Sequence, residues 1–176
     1  MGLTAGQFSL IDLIHATLQK IGPSHVVCTS WSAGIKDAHN IKWMLDSHLI
    51  RTFRLLVDHS FATRQKTYAL SIAELFGDEN IRTGELHAKF VLIHNENYSV
   101  CIRTSMNLNA NRTCESFELD ENQEIFDFYM GFVENSFGTM PTGFTAESWR
   151  ASASLQRYFN SEQSQTTTKS SWWKEQ

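Results

Sequence analysis

LHAKFVLI (86–93), HNEN (94–97) and YSVCIRTSMN (98–107) form the stretch on which the fold turns. The first segment is apolar and β-favouring, the second is polar and turn-like, and the third returns as a strand over 98–103. That succession predicts an antiparallel hairpin leading into the loop TSMNLNANRTC (104–114). Side chains alternate along a strand, so His87 and Lys89 share a face. A turn near 94–97 lays the start of the first strand beside the end of the second. His87 and Lys89 then fall beside Arg103–Asn107. An imidazole, an ammonium, a hydroxyl and an amide at one sheet end suit a phosphodiester: a nucleophile or general acid, with donors for the phosphoryl oxygens.

Upstream of the hairpin, strands and helices alternate. Leu10, Leu13, Ile14, Leu18 and Ile21 recur at helical spacing within 7–21, and Gly22-Pro23 supplies the stop. Residues 25–31 read as a buried strand. Residues 37–48 read as a helix capped by Asp37, with Ile41, Met44 and Leu45 inward. Residues 51–58 read as a strand and 63–76 as a helix closed by Gly77. Downstream, SFEL (116–119) is a short last strand and 121–137 an amphipathic helix. The expected class is α/β, a mixed sheet covered by helices. A domain over 1–150 and a flexible tail over 151–176 are expected, with Trp172-Trp173 as an unusual end to a polar segment.

Charge bounds the partners. Residues 1–112 hold 11 Lys and Arg against 9 Asp and Glu, while 113–176 hold 4 against 10. No global positive field is available, so a polyanion would need a local site. No apolar run is long enough to cross a membrane and no signal-peptide core opens the chain, so a cytoplasmic protein with no membrane partner is expected. Cys28, Cys101 and Cys114 form no CxxC pair. Cys28 and Cys101 lie in apolar runs, as buried free thiols would. Seven histidines include no pair at metal-ligand spacing such as HExxH, and no metal or cofactor is expected. Asp58-His59-Ser60 spells a triad, but adjacent residues at a strand end point apart. They are expected to line the cleft rather than act together.

His87-Ala88-Lys89, followed at an interval by Thr104-Ser105-Met106-Asn107, resembles the phospholipase D superfamily motif HxK(x)4D(x)6GSxN. The motif's aspartate position holds His94 and its glycine position holds Thr104. His94 sits at the far, hairpin end of the strand, so this departure touches structure rather than chemistry. Thr104 in place of glycine crowds the loop.

The resemblance implies a phospholipase-D-like sheet with one half-unit per chain. It implies His87 as the nucleophile that forms a phosphohistidine, Lys89 and Asn107 as ligands of the phosphoryl oxygens, and Ser105 in support. An acidic residue soon after the motif orients the histidine in that family; Glu115 is the candidate, with Glu118 second. Thr104, Arg103 and Arg112 are candidate substrate contacts.

The reaction needs two acid–base groups, yet the chain has one HxK motif and no internal repeat. A C2 homodimer that joins two half-sites is therefore expected, and the resemblance, which extends to small bacterial dimeric nucleases, implies the same. The expected activity is a metal-independent phosphodiesterase, foremost an endonuclease cutting DNA or RNA, with a groove built from residues such as Lys36, Lys42, Arg64, Lys66, Arg103 and Arg112. Two alternatives stand beside it: an inactive nucleic-acid-binding or assembly protein on the same fold, and a lipid or small-molecule phosphodiesterase.

Overall fold

The computed structural model describes residues 1–110 and 112–144. The expected tail over 151–176, with its tryptophan pair, lies outside the described residues. The chain forms a mixed α/β structure around one seven-stranded sheet, as the alternation of elements predicts. The strands are β1 (Gly2–Thr4), β2 (Ser24–Ser30), β3 (Ile50–Asp58), β4 (Ile81–Gly84), β5 (Phe90–His94), β6 (Ser99–Thr104) and β7 (Glu115–Asp120). The helices are α1 (Leu10–Ile21), α2 (Ile35–Asp46), α3 (Ser60–Arg64), α4 (Lys66–Phe76) and α5 (Gln123–Thr139).

The sheet runs β1-β7-β6-β5-β2-β3-β4. β2, β3 and β4 are parallel neighbours, as strands joined through α2 and then α3–α4 must be. β5 joins the other side of β2 antiparallel, and β6, β7 and β1 continue antiparallel from it.

Strand alternation sorts the core onto two faces. Val26, Cys28, Leu55, Val57, Val91, Ile93, Val100 and Ile102 face α1, α2 and α4. Val27, Leu56, Phe90, Leu92 and Cys101 face α5, where Phe126, Phe132 and Val133 close over them. The central strands are apolar on both sides because helices cover both sides. Cys28 and Cys101 are buried free thiols, as expected, and burial pushes them up to about 12 and about 11.

Local chemistry sets most boundaries. Ser9 and Asp12 form a reciprocal capping box at the start of α1, so the helix opens at Leu10 rather than near residue 7. Gly22 and Gly77 end α1 and α4 at φ 86° and 79°, where a side chain would be strained.

Three expectations are corrected, and two short strands are added. Asp37 does not cap α2; Gly34 holds that position, and the Asp37 carboxylate is buried, accepting from the Ala110 N–H at 3.0 Å. The helix expected over 63–76 is two helices broken at Gln65, whose backbone leaves the helical region at φ −136°, ψ 53°. β1 and β4 are the added strands, because three and four residues give too short a pattern. The strand expected from Leu86 is regular only from Phe90. Before it the chain answers to side-chain partners rather than to a full ladder.

A candidate phosphodiester site at one end of the sheet

The register gathers the candidate residues. β2 and β3 are parallel, with Ser30 opposite Val57, so both end on the same side of the molecule. Thr29 pairs with Phe90, so antiparallel β5 begins where β2 ends. Phe90 pairs with Arg103 and Thr104 with Phe117, so β6 ends and β7 begins there too. Trp31, Asp58, His87, Lys89, Ser105, Asn107 and Glu115 therefore share one rim. It is also the carboxyl end of the parallel strands, where open α/β sheets bind ligands.

Two buried polar side chains, Thr29 and Asp58, hold the segment that carries His87 and Lys89, and a third, Ser30, holds the loop that faces it. The Thr29 hydroxyl accepts from the Phe90 N–H at 2.9 Å and lies 3.2 Å from the Ala88 and Phe90 carbonyl oxygens. The Asp58 carboxylate accepts from the Leu86 N–H at 3.2 Å and, on its other oxygen, from the Ser60 N–H at 3.0 Å and the Ser60 hydroxyl. The Lys89 carbonyl accepts from the Thr104 N–H at 3.1 Å, which carries the β5–β6 ladder one step past the regular strand.

His87 itself is exposed. Its ring meets Trp31 at a centroid distance of 6.0 Å, and the Lys89 ammonium stands 3.4 Å from its Nδ1. Lys89 makes its shorter bond, 3.0 Å, to the His87 carbonyl oxygen. Partial burial holds the Lys89 ammonium below the ordinary lysine range, with the Glu115 carboxylate pulling the other way.

The facing loop is stitched to the end of β2. The Asn107 carboxamide oxygen accepts from the Trp31 N–H at 3.2 Å and the Ser30 hydroxyl at 3.3 Å. Its two N–H donors are the part of that side chain with capacity to spare. The Ser30 hydroxyl also accepts from the Leu108 N–H at 2.9 Å, and the Leu108 carbonyl accepts from the Gly34 N–H at 2.7 Å. Asn109 reaches the Ser32 hydroxyl at 3.3 Å.

Ser105 donates to the Glu115 carboxylate and accepts from the Ser116 N–H at 2.9 Å, while Thr113 donates to Glu115 at 2.9 Å. Thr104 does not crowd the loop. Its hydroxyl accepts from the Met106 N–H at 3.0 Å and donates to the Ser116 carbonyl at 2.7 Å, so it braces the turn that presents Ser105.

The structure therefore brings His87, Lys89, Thr104, Ser105, Asn107 and Glu115 to one place. Arg103 belongs to another. It lies on the Cys101 face of β6, toward α5, bound to Glu118 at 2.9 Å and Asp120 at 3.4 Å. These two carboxylates offset its charge, and the pairing places Glu118, the second candidate to orient His87, on this face as well. Arg112 is exposed in the loop before β7. His94 sits at the opposite end of β5, stacked on His25 at 5.1 Å and edge-on to Phe126 at 5.6 Å.

The chain matches no protein-family model and no curated protein.

Among the described residues, no group of three or more His, Cys, Asp or Glu side chains is arranged to hold a metal ion. Nor is any helix among them long and apolar enough to cross a membrane. Sequence reasoning missed Thr29, Ser30 and Trp31, and it gave Asp58 a place lining the cleft without its role in holding the Leu86 N–H. The available signal was their position at the ends of two parallel strands.

Proposed function

We propose that this rim is one half-site of a phosphodiesterase that cleaves nucleic acid through a phosphohistidine in a homodimer. The observation that carries the reading is the convergence of His87 and Lys89 with the Ser105–Asn107 loop at the carboxyl end of the sheet, on a scaffold of buried Thr29, Ser30 and Asp58. The order and spacing of HxK and SxN, which resemble the phospholipase D superfamily, support the same chemistry.

In this reading a His87 ring nitrogen attacks phosphorus and a P–N bond forms as the bond to the leaving oxygen breaks. The partner's His87, protonated, gives its proton to that oxygen. Water then attacks the phosphohistidine, losing its proton to the now neutral partner imidazole, and the P–N bond breaks. The Lys89 ammonium and the Asn107 N–H donors stabilise the charge gathering on the phosphoryl oxygens. Ser105, held by Glu115, orients the loop.

A nucleic acid is favoured by the exposed cations on this side of the molecule. Lys36 opens α2 after β2, Arg64 and Lys66 follow β3, and Arg112 precedes β7. Lys42 pairs with Asp46 in the second half of α2, away from the end of β2, and Arg103 pairs with Glu118 and Asp120 on the α5 side of the sheet, so neither is counted in this groove.

Cleavage of plasmid, single-stranded DNA or RNA should persist in EDTA, and the active species should sediment as a dimer. Activity lost to chelator and restored by magnesium, or a fully active monomer, would refute the mechanism.

The alkaline limb of the pH profile should fall below 10.5, the ordinary lysine value, because burial favours neutral Lys89 and only the ammonium serves phosphate. Between the native pKa and 10.5 the unfolded chain binds more protons than the native one. The Lys89 contribution to stability therefore rises with pH where activity falls. Measuring kcat/KM and melting temperature across that window checks both signs. Lys89→Arg should move the alkaline limb upward; a limb that stays put assigns it to another group.

A further inference from the structure

Resting on that reading of the site, we propose that Trp31 and Arg64 form a subsite for the phosphate next to the scissile one, which selects a polyphosphodiester strand over an isolated phosphodiester.

Trp31 is the hub of the rim. Its N–H donates to the Asn107 side chain at 3.2 Å, its ring faces the His87 ring at 6.0 Å, and its carbonyl accepts from Arg64 at 3.2 Å. The Arg64 guanidinium lies over the indole, 3.7 Å from the ring centroid, and its Nε donates to the Ser60 hydroxyl at 3.0 Å. Ser60 is in turn bound to Asp58, whose other oxygen holds Leu86 beside His87. Arg64 is thus fixed to the same framework that fixes the proposed nucleophile.

Arg64 carries its charge beside the proposed nucleophile. Arg51, Arg54 and Arg103 each pair with a carboxylate, on Glu96, on Glu134, and on Glu118 and Asp120, Arg82 is buried against backbone carbonyls and the Phe137 ring, and Arg112 is exposed in the loop before β7. Arg64 makes no ion pair among the described residues, and it is exposed. An aromatic face, a carbonyl and a hydroxyl orient a guanidinium without neutralising it; Nε and one terminal nitrogen serve those bonds, and the remaining N–H donors are left to take phosphate oxygens. The guanidinium and the His87 ring both lie against the Trp31 indole, which makes them neighbours on the rim. A lone phosphodiester would not reach both, whereas a strand crossing the rim would.

The test compares a chromogenic aryl phosphodiester with a short single-stranded oligothymidylate, using Arg64→Gln, Arg64→Lys, Trp31→Leu and Trp31→Phe. Arg64→Gln should raise KM for the oligonucleotide about tenfold, leaving its kcat and the small-substrate kcat/KM unchanged. In a His87→Ala background, oligonucleotide binding should weaken likewise, and its salt slope should drop by about 0.7. Trp31→Leu should reproduce the binding loss and add little to Arg64→Gln, because the indole seats the guanidinium. Trp31→Phe and Arg64→Lys should recover part of it.

Equal losses on both substrates would show that Arg64 only braces His87, and the subsite would be withdrawn. Cleavage and binding of the oligonucleotide by Arg64→Gln as by the unsubstituted protein would also overturn it, leaving the phosphodiesterase reading intact. Failure of the unsubstituted protein to cleave either substrate or to bind the strand would end that reading, and the subsite with it.

Discussion

Replacing His87 with alanine should lower phosphodiester cleavage by on the order of a million-fold, the scale of losing a covalent nucleophile, while the melting temperature moves by no more than a few degrees. The two effects separate because of where the residue sits. His87 is exposed, touches the Trp31 ring, and lies outside the regular part of β5. Its removal opens no core cavity. Lys89→Ala and Asn107→Ala should each cost about a hundred- to a thousand-fold, as loss of one charge-stabilising donor does elsewhere.

His94→Ala should show the reverse pattern. That side chain stacks on His25 and meets Phe126, so stability should fall by about 1 kcal/mol with activity near that of the unsubstituted protein. Activity and melting curves on the four variants decide the matter. An active His87→Ala together with an inactive His94→Ala would mean that the motif has been placed on the wrong residues.

Asp58→Ala should destabilise the protein by about 3 kcal/mol, because it strips a buried carboxylate from the Leu86 and Ser60 N–H groups and leaves those donors without it. For a chain of this size that is roughly a 10 °C fall in melting temperature. Activity should drop as well, measured at a temperature where the variant is still folded, since Leu86 is the residue before His87. Asp58→Asn retains one acceptor oxygen and should lose only about 1 kcal/mol. If Asp58→Ala melts with the unsubstituted protein, the carboxylate does not position the His87 segment.

The hairpin and its chemistry were legible because they are local. A polar turn at 94–97 between two β-favouring runs sets which residues of β5 and β6 lie opposite one another. Phe90 opposite Arg103 follows from that turn, and so does the meeting of Lys89 with the Ser105–Asn107 loop. Helix and strand types followed from periodicity, and Gly22 and Gly77 ended their helices as glycines do. Arg103 differs from its neighbours in the loop for a related reason. Sequence places it next to the loop, but strand alternation sends its side chain to the opposite face, where two carboxylates wait.

The sequence by itself determined an α/β chain with one hairpin, one HxK and one SxN, and it named the side chains able to handle a phosphodiester. Tertiary structure alone decided what surrounds them. Thr29 is bonded to a partner 61 residues away, Trp31 to one 76 away and Asp58 to one 28 away. Those contacts depend on β5 settling antiparallel against β2 while β3 lies parallel on its other side. No local pattern encodes such pairings, because they are selected by burying both faces of the whole sheet at once.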